Sequence, residues 1–568
     1  MINYKQEIAK ILDDKLVDLS LEEIENMLEI PADSKMGDFA FPCFKLARTL
    51  RKAPPLIAKD IVAQLEGNAL FEKVEAVNAY VNMFISKEML LKNTVESTFE
   101  MGADFGKSQI GEGKTVVIDY SSPNIAKPFH IGHIRSTVIG NALYKIYDAL
   151  GYDVVRINHL GDYGTQFGKM ICAYRKWGNK EDVEREPIKT LLSYYTKFHE
   201  EAEKDPSLDD EARDIFAALE NGAKEEVALW QWFRDESLKE FNRVYEMLDI
   251  SFDSYNGESF YSDKMPAVIQ ELRDKALLVP SQGTEIVELE QFGLTDAPIV
   301  KANGSSLYIT RDIAAAIYRK NTYDFYKDIY VVASQQNLHF QQLKKIIELM
   351  GYDWADKIEH VPFGLVSLEE GTMSTRHGRV VFLEDVLNHA VDKTREIIKD
   401  KGVVTENIDE TAAMVGIGAV VFNELSNNRI KDYVFSYDKV LNFDGETGPY
   451  VQYTHARALS VLRKAGVEDI DLSKIDYSYL KGEAATNLAM DIYKLPEVIV
   501  EAASKNEPSV VTRHVVDLAQ SFNKFYHDEH ILVENEDEKL AKLALVKAGQ
   551  IAIKNGLNIL GVKAPEKM

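Results

Sequence analysis

The chain has 568 residues, so it is too long for one ordinary hydrophobic core and two to four domains are expected. Its formal net charge of -25 excludes a generic electrostatic binder of nucleic acid, and any such contact must use local basic or shape-matched surface. The only cysteines, Cys43 and Cys172, exclude a disulfide scaffold and disfavour a structural zinc site.

Residues 1–105 are predicted to form a small α+β domain. Helical stretches flank the segment 33–42 and the alternating segment 80–85, whose period of two is typical of a half-buried strand. The first residues open an amphipathic helix and not a signal peptide, and no uncharged apolar run is long enough to cross a bilayer. We therefore expect a cytoplasmic protein with no membrane segment.

A strand–helix–strand unit is predicted between Thr115 and Ile157. The β-branched run 115–118 precedes a turn rich in Pro, Gly and His, residues 134–150 have apolar side chains at helical spacing, and a second strand follows at 154–157. Such a βαβ unit is right-handed, and its ligands bind at the carboxyl ends of the strands.

His130 and His133 lie at the start of the predicted helix, at this ligand-binding end. Unpaired backbone N–H groups and the helix dipole favour an anion there, so a phosphate group is the expected guest. Gly132 has no side chain and would let a flat ring such as adenine pack against the backbone. Two alternatives stay open on these residues alone: histidines that only cap and pack, or zinc ligands, for which no third ligand lies nearby.

The rest of the chain shows three patterns. Residues 178–256 are strongly charged and helical, which indicates an insertion in the catalytic sheet. Residues 330–340 predict a buried strand and a polar turn, and the chain is almost wholly helical from about 405. The expected fold class is α/β: a Rossmann-type parallel-sheet catalytic domain at 106–404 with the helical insertion, a small α+β N-terminal domain, and an all-α helical-bundle C-terminal domain at 405–568.

The segments 122–127, 130–133 and 135–137 together resemble the HIGH region of class I arginyl-tRNA synthetases. The resemblance implies that His130 and His133 contact ATP phosphates and stabilise charge on the α-phosphate as the amino-acid carboxylate attacks. Positioning and electrostatic stabilisation are the main sources of catalysis in such transfers. ATP with Mg²⁺ is then a substrate, and no bound cofactor or protein-held metal is expected.

The second class I signature, the KMSKS loop, would be the segment 372–378. By the resemblance, four of its residues serve ATP: Met373, Ser374, Thr375 and Arg376. The two lysines of the general motif are missing, and Lys127, on the approach to His130, is expected to supply one of the charges. His377 stands where many relatives carry lysine. A polar surface turn is the alternative for this segment alone.

An arginine substrate requires carboxylate acceptors, because its guanidinium always carries charge and presents five donors. The segment 307–314 resembles the family's arginine-reading helix, with Tyr308 and Asp312 one turn apart, and Asp312 is predicted to bind the guanidinium. The resemblance assigns the other arginine contacts to Ser122, Asn124, Glu258 and Gln336. A helix-surface pair at 308 and 312 and a solvated Glu258 are the alternatives.

Further resemblances imply tRNA contacts at both ends of the chain. The N-terminal domain would contact the outer corner of tRNA, with Phe39 either stacking on RNA or packing in the core. The C-terminal domain would bind the anticodon, and its candidates are Tyr450, Tyr453, Tyr526 and Met568. Unstacked bases bind to aromatic and apolar side chains, although core packing or terminal fraying are the alternatives here.

The predicted function is therefore that of an arginine–tRNA ligase. Arginine and ATP would give arginyl-adenylate and pyrophosphate, and the terminal 2′-hydroxyl of arginine tRNA would then attack the acyl group. The resemblance also implies that tRNA must be bound for efficient adenylate formation. A monomer is expected. Two alternatives remain: a class I synthetase for another amino acid, and a catalytically silent tRNA-binding paralogue.

Overall fold

The structure, a computed structural model, describes residues 2–14, 19–31, 33–301, 308–368, 381–400, 407–443, 445–467 and 469–568. The chain separates into two compact units. The first unit comprises Met1–Phe105, Thr454–Leu495 and Asp517–Asn555. The second comprises Gly106–Tyr453, Pro496–Val516 and Gly556–Met568.

The N-terminal part of the first unit is a three-stranded antiparallel sheet with five helices among its described residues. The strands are β1 (Phe39–Pro42), β2 (Phe71–Val77) and β3 (Tyr80–Ile85), in the order β1–β3–β2. The helices are α1 (Tyr4–Asp13), α2 (Leu21–Met27), α3 (Leu46–Thr49), α4 (Pro54–Leu65) and α5 (Lys87–Met101). Phe39 lies opposite Met83 and Phe41 opposite Val81, and all four are buried. This arrangement confirms the predicted α+β fold of the region.

A parallel sheet organises the second unit. The strands of this unit are β4 (Thr115–Asp119), β5 (Asp153–Ile157), β6 (Val279–Ser281), β7 (Thr284–Val287), β8 (Ala297–Val300), β9 (Lys327–Ala333), β10 (Ile358–Phe363), β11 (Val366–Leu368) and β12 (Tyr433–Phe435). Four of them form the parallel sheet, in the order β10–β9–β4–β5. The core of β4 is buried and β-branched, as expected where helices cover both faces of a sheet.

Helices of the second unit surround this sheet. They are α6 (Ile134–Ala149), α7 (Gln166–Trp177), α8 (Lys180–Arg185), α9 (Pro187–Ala202), α10 (Ser207–Glu220), α11 (Lys224–Leu248), α12 (Met265–Asp274), α13 (Tyr308–Tyr323), α14 (Asn337–Leu349), α15 (Leu383–Asp400), α16 (Ile408–Ser426) and α17 (Tyr437–Val440). Helix α6 connects β4 to β5, and the chain later returns to β9 on the other side of β4. The connection from β4 runs to β5 on one side and that from β9 runs to β10 on the other, so the crevice between β4 and β9 is a topological switch point, where ligands bind in open α/β sheets.

Helices α8 to α11 confirm the predicted helical insertion. The last four helices, α18 (Gly448–Ala465), α19 (Glu483–Lys505), α20 (Ser509–Asp528) and α21 (Glu536–Ile559), confirm the helical C-terminal region. One short strand departs from the prediction there, because β12 pairs in parallel with β11. Three residues are too few for a recognisable period of two. No described helix combines the length and apolar character needed to cross a bilayer.

A hydrophobic cluster fixes α13 and α14 against the sheet. Val117 of β4, Ile313 of α13, and Leu343 and Ile347 of α14 are fully or almost fully buried in it. Because α13 and α14 carry candidate arginine contacts, this packing sets the position of that side of the crevice relative to β4.

Candidate active site

The turn after β4 is strained but firmly held. Ser121, Ser122 and Ala126 have φ angles of 70°, 47° and 56°, in the left-handed region that non-glycine residues avoid at a cost of about 1–3 kcal/mol each. The N–H of Ser121 donates to Ser136 Oγ at 2.9 Å, and that of Ala126 donates to Ser237 Oγ at 3.2 Å. Side chains of α6 and α11 thus fix the turn that leads to the histidines.

His130 and His133 are held by backbone hydrogen bonds in one short 3-10 turn, Ile131–His133. The Gly132 N–H donates to His130 Nδ1 at 3.0 Å, and the His130 N–H donates to His133 Nδ1 at 3.1 Å. His133 Nδ1 also lies 3.3 Å from the His130 carbonyl oxygen, but that oxygen already accepts the His133 N–H at 2.8 Å. Because each Nδ1 accepts a hydrogen bond, we assign the proton of each neutral ring to Nε2.

Both imidazoles are neutral at pH 7. Burial lowers the pKa of His130, and burial together with the charge of His130 lowers the pKa of His133 to about 3. Within the described residues, no protein group forms a hydrogen bond with either Nε2. The turn therefore offers two neutral N–H donors for the oxygens of an anionic ligand.

The second-signature candidates Met373, Ser374, Thr375 and Arg376 lie in 369–380, outside the described residues. The chain directly after this segment is bonded to the histidine turn. The Ile131 N–H donates to the Val381 carbonyl oxygen at 3.2 Å, and the Leu383 N–H donates to the Phe129 carbonyl oxygen at 2.9 Å. Val381 and Leu383 are thereby anchored beside the turn that holds His130.

Across the crevice, Asp312 is bonded to a histidine. His339 Nε2 lies 2.6 Å from Asp312 Oδ2. Burial alone would raise the pKa of Asp312, but the hydrogen bond and charge of His339, with smaller contributions from His159 and Arg311, hold it below its usual value. Asp312 is thus an anion at pH 7. Its second oxygen, Oδ1, has no hydrogen-bond partner among the described residues, so it can accept a guanidinium.

Glu258 forms an internal ion pair on this side. Its Oε2 lies 3.2 Å from Arg311 Nη1. Burial raises the pKa of Glu258 to about 7, Arg311 and Lys127 oppose that rise, and the negative charges of Asp312 and Asp162 add to it. Glu258 therefore titrates near neutral pH, unlike the solvated carboxylate considered from the sequence.

Tyr308 and Gln336 are both exposed, at the starts of α13 and α14. The Tyr308 side chain is 71% exposed. The Arg311 guanidinium lies 5.7 Å from the Tyr308 ring centre and 4.7 Å from that of Tyr163. Both predicted residues are accessible from solvent in this state.

Ser122 and Asn124 are positioned by the neighbouring turn after β5. Ser122 Oγ donates to Asp119 Oδ1 at 2.8 Å and accepts the His159 N–H at 3.1 Å, so it retains one lone pair for a ligand. Asn124 is exposed, and the backbone beside it pairs with Gly161. A Cβ at Gly161 would lie 2.3 Å from Asn124 Oδ1, so only glycine leaves this side chain in place.

Comparisons with known proteins identify the family of this chain. The family model "tRNA synthetases class I (R), catalytic domain" matches residues 94–437, "Arginyl tRNA synthetase N terminal domain" matches 3–85, and "DALR anticodon binding domain" matches 451–568. Arginine–tRNA ligases of Clostridioides difficile and Halothermothrix orenii are 58% and 56% identical over 568 residues, with 100% of each chain covered. The chain belongs to the arginyl-tRNA synthetase family.

Solved structures of arginyl-tRNA synthetases have the same fold. The Thermus thermophilus protein has a TM-score of 0.81 at 25% identity, covering 100% of this chain and 99% of that one. The Plasmodium falciparum protein has a TM-score of 0.81 at 24% identity, covering 100% of both chains. The predicted family, fold class and class I ligase assignment are confirmed.

A buried network beneath the site was not predicted from the sequence. Arg319 Nη2 lies 2.5 Å from Asp119 Oδ2, and Nη1 lies 3.5 Å from Asp328 Oδ1. Burial raises the pKa of Asp328 to about 6, with Arg319 opposing. Since Asp119 also holds Ser122, Arg319 supports a predicted substrate contact. The only sequence pattern that indicates burial of Arg319 is its position on the apolar stripe of α13, three residues after the buried Ala316.

The tRNA-contact candidates differ in exposure. Phe39 is only 5% exposed, so it packs in the core and its ring is not available for stacking. Phe44, which the sequence reasoning missed, is 55% exposed. Tyr453 and Tyr526 are each 39% exposed, and the Arg457 guanidinium lies 5.4 Å from the Tyr526 ring centre. Two further candidates, Tyr450 and Met568, are partly buried.

Proposed function

We propose that this chain ligates L-arginine to its tRNA, forming arginyl-adenylate from arginine and ATP before transfer to the terminal 2′-hydroxyl. One observation carries the proposal. The switch-point crevice has two neutral imidazole N–H donors on the β4 side and an anionic carboxylate with a free oxygen on the α13 side. The first pair suits phosphate and the second suits guanidinium, so both substrates of the reaction have chemical partners.

The imidazoles stabilise the pentacovalent α-phosphate during adenylate formation. His130 and His133 donate from Nε2, and because their pKa values are lowered, they do so without titrating near pH 7. Backbone bonds fix both rings beforehand, so little reorganisation is needed when charge develops. Lys127, which is exposed on the approach to His130, and Arg376 supply positive charge to the departing pyrophosphate, while Gly132, Met373, Ser374 and Thr375 line the ATP site.

Mg²⁺ enters with ATP as part of the substrate. The described residues contain no group of three or more His, Cys, Asp or Glu side chains arranged to hold a metal ion. Magnesium usually keeps several waters and binds through substrate phosphates, so a site without a dedicated protein cage suits it.

The substrate arginine binds between two carboxylates of the protein, those of Asp312 and Glu258. Asp312 Oδ1 accepts the guanidinium, while His339 keeps Oδ2 occupied and the carboxylate oriented. Glu258, Ser122 and Asn124 receive the α-amino and carboxylate end, and Tyr308 and Gln336 close the pocket from its exposed side. Glu258 must be ionised to attract a cation, which links arginine binding to a pKa of about 7.

The tRNA contacts are assigned to the N-terminal domain (1–105) and the C-terminal helical domain (405–568), which precede and follow the catalytic domain (106–404) in the sequence. An exposed patch around Phe44 supports the first. Phe44 packs edge-on against Tyr80 at 5.5 Å, and Lys45, Arg48 and Arg51 are exposed beside it. An aromatic platform with basic neighbours suits an unstacked base and its phosphates.

Contacts with the anticodon are assigned to Tyr450, Tyr453, Tyr526 and Met568. Tyr526 supports this role best, because its side chain is partly exposed and the Arg457 guanidinium lies against its ring.

The enzyme works as a monomer in the cytoplasm, where tRNA is charged. Sedimentation velocity of the protein, measured with and without tRNA, tests whether it is monomeric.

Arginine-dependent exchange of pyrophosphate into ATP tests the function. Exchange should require arginine and tRNA, canavanine should substitute for arginine in part, and lysine should not. Exchange with another amino acid would point to a different synthetase specificity. No exchange under any condition, together with retained tRNA binding, would point to a silent tRNA-binding paralogue.

The N-terminal contact is tested by Phe44→Ala. We expect tRNA affinity to fall by roughly 5- to 100-fold, because base–aromatic stacking contributes about 1–3 kcal/mol per base. Phe292→Ala, at another exposed phenylalanine in the catalytic unit, is the matched control. Equal affinities of the two variants would remove Phe44 from the contact surface.

A further inference from the structure

A buried ion pair joins the histidine helix to a distant part of the chain. Arg135, two residues after His133, has its Nε 2.6 Å from Glu424 Oε1, and both side chains are 0% exposed. Arg135 Nη1 donates to the Lys431 carbonyl oxygen at 2.8 Å, and the Tyr433 hydroxyl donates to Glu424 Oε2 at 2.6 Å. The Tyr433 ring centre also lies 5.2 Å from the Arg135 guanidinium carbon. We name Arg135, Glu424 and Tyr433 the Arg135 network.

The same network reaches the strand that precedes the second-signature segment. Tyr433 is the first residue of β12, and its N–H donates to the Leu365 carbonyl oxygen at 3.1 Å. The Leu365 N–H in turn donates to Asp432 Oδ1 at 2.6 Å. Strand β11 begins at the next residue, pairs with β12 and ends directly before 369. One carboxylate, Glu424, therefore bonds to side chains that anchor both the histidine helix and β11.

Stability alone does not explain this network. A fully buried ion pair loses its hydration, and apolar residues of similar volume are often equally stable or more stable. Burial raises the pKa of Glu424, with Arg135 and Tyr433 opposing, and Arg135 Nη2 is buried without a hydrogen-bond partner. The network fixes the relative orientation of two elements, because Glu424 Oε1 accepts from Arg135 of α6 and Oε2 accepts from Tyr433 of β12. These two hydrogen bonds to Glu424 are directional, so they specify relative orientation more strongly than apolar packing does.

We propose that Glu424 is a positioning residue for adenylate formation, which sets the orientation of His133 through Arg135 and that of β11 through Tyr433. The inference rests on the proposed function, since it assigns the ATP side of that site to this network. Glu424 contacts no reacting atom. Its loss should slow the chemistry on ATP and leave the arginine pocket, on the other side of the crevice, unchanged.

Two variants test the proposal in the full-length enzyme. Glu424→Gln removes the charge and keeps the shape, and Tyr433→Phe removes one hydrogen bond and keeps the ring. Tyr437→Phe is the matched control, because Tyr437 lies in the same segment, against Phe435, with no bond to Glu424. Pyrophosphate exchange is measured per active site, after active-site titration, as a function of both ATP and arginine concentration.

We expect kcat to fall roughly 10- to 100-fold for Glu424→Gln and about 3- to 10-fold for Tyr433→Phe, with a raised KM for ATP and an unchanged KM for arginine. The double variant should be little slower than Glu424→Gln alone, because the two changes act on one network. A purely structural role would lower only the active-site titre, with wild-type kcat and KM per site. That result, or equal losses in Tyr437→Phe, would overturn the proposal. Absence of exchange in the wild-type protein would instead overturn the proposed function.

Discussion

The two sides of the crevice are prepared for their ligands in different ways. On the β4 side, the Nδ1 atoms of His130 and His133 each accept a backbone N–H, and no described group forms a hydrogen bond with either Nε2. On the α13 side, Asp312 and Glu258 are already paired with His339 and Arg311. The two histidine donors are therefore in place before ATP arrives, whereas on the arginine side Asp312 accepts a hydrogen bond from His339 and Glu258 forms an ion pair with Arg311.

This difference has a physical reason. A neutral N–H donor without a partner costs less to bury than an ionised carboxylate without one. The chain's own His339 and Arg311 lower that cost until a substrate cation arrives. Arginine binding must then share or replace these pairs, so we expect the arginine side to respond strongly to charge and pH and the phosphate side to respond mainly to geometry.

The largest effect is expected from Asp312→Asn. The amide removes the charge that should bind the guanidinium and presents N–H groups to it, so kcat/KM for arginine should fall on the order of 10²–10³-fold. The KM for ATP should stay within threefold. Steady-state pyrophosphate exchange measures both. An arginine kcat/KM close to wild type would show that another group reads the guanidinium.

On the phosphate side, His133→Asn should lower kcat by about 10²-fold with little change in the KM for arginine, because it removes one preorganised donor to the developing charge. His199→Ala, at an exposed histidine of the insertion, is the control and should be neutral. The pKa of His133, lowered to about 3, also predicts no step from this residue in kcat between pH 6 and 8. Such a step, absent from His133→Asn, would contradict the neutral assignment.

Glu258 should make arginine binding depend on pH. Its pKa is raised from 4.5 to about 7, so it is mostly protonated at pH 6 and mostly ionised at pH 8. If only the ionised form attracts the substrate cation, the KM for arginine should fall about tenfold over this interval. Glu258→Gln should flatten the profile. A pH dependence that survives in this variant would assign the titration to another group.

The raised pKa of Glu258 also makes the stability of the folded state depend on pH. The folded state holds the Glu258 proton more tightly than the unfolded state, so this residue's contribution to stability is lost as pH rises from about 4.5 through about 7. Thermal unfolding of Glu258→Gln should show a smaller decline across that range than the wild type. An identical decline would mean that Glu258 is not perturbed in the folded protein.

The sequence was sufficient for the fold and for a candidate location of the site. The β-branched run before His130 and the helical spacing after it identified the βαβ unit, because these are local patterns. For Phe39 the sequence leaves RNA stacking and core packing open, because strand spacing does not say which face is buried. In the structure residues 39–41 are all buried, and the exposed Phe44 lies beyond that strand.

The chemistry inside the site could not be predicted in the same way. Which histidine nitrogen carries the proton depends on backbone bonds that exist only after folding. The pairing of Arg135 with Glu424 joins positions 289 residues apart, and no local pattern marks a contact at that separation. Such contacts are products of tertiary packing, so the sequence indicated candidate ligand contacts but not the residues that hold them in place.

The smallest effect tests the geometry of the β4 side alone. Gly161→Ala would place a Cβ 2.3 Å from Asn124 Oδ1, so the Asn124 side chain must move, and the KM for arginine should rise about three- to tenfold with kcat less affected. In an Asn124→Ala background the side chain that would clash is gone. The same glycine substitution should then change KM by less than about twofold, which is the non-additivity expected of residues in contact. Additive effects would mean that Gly161 serves the turn after β5 and not Asn124, and that the β4 side is less completely preorganised than its hydrogen bonds indicate.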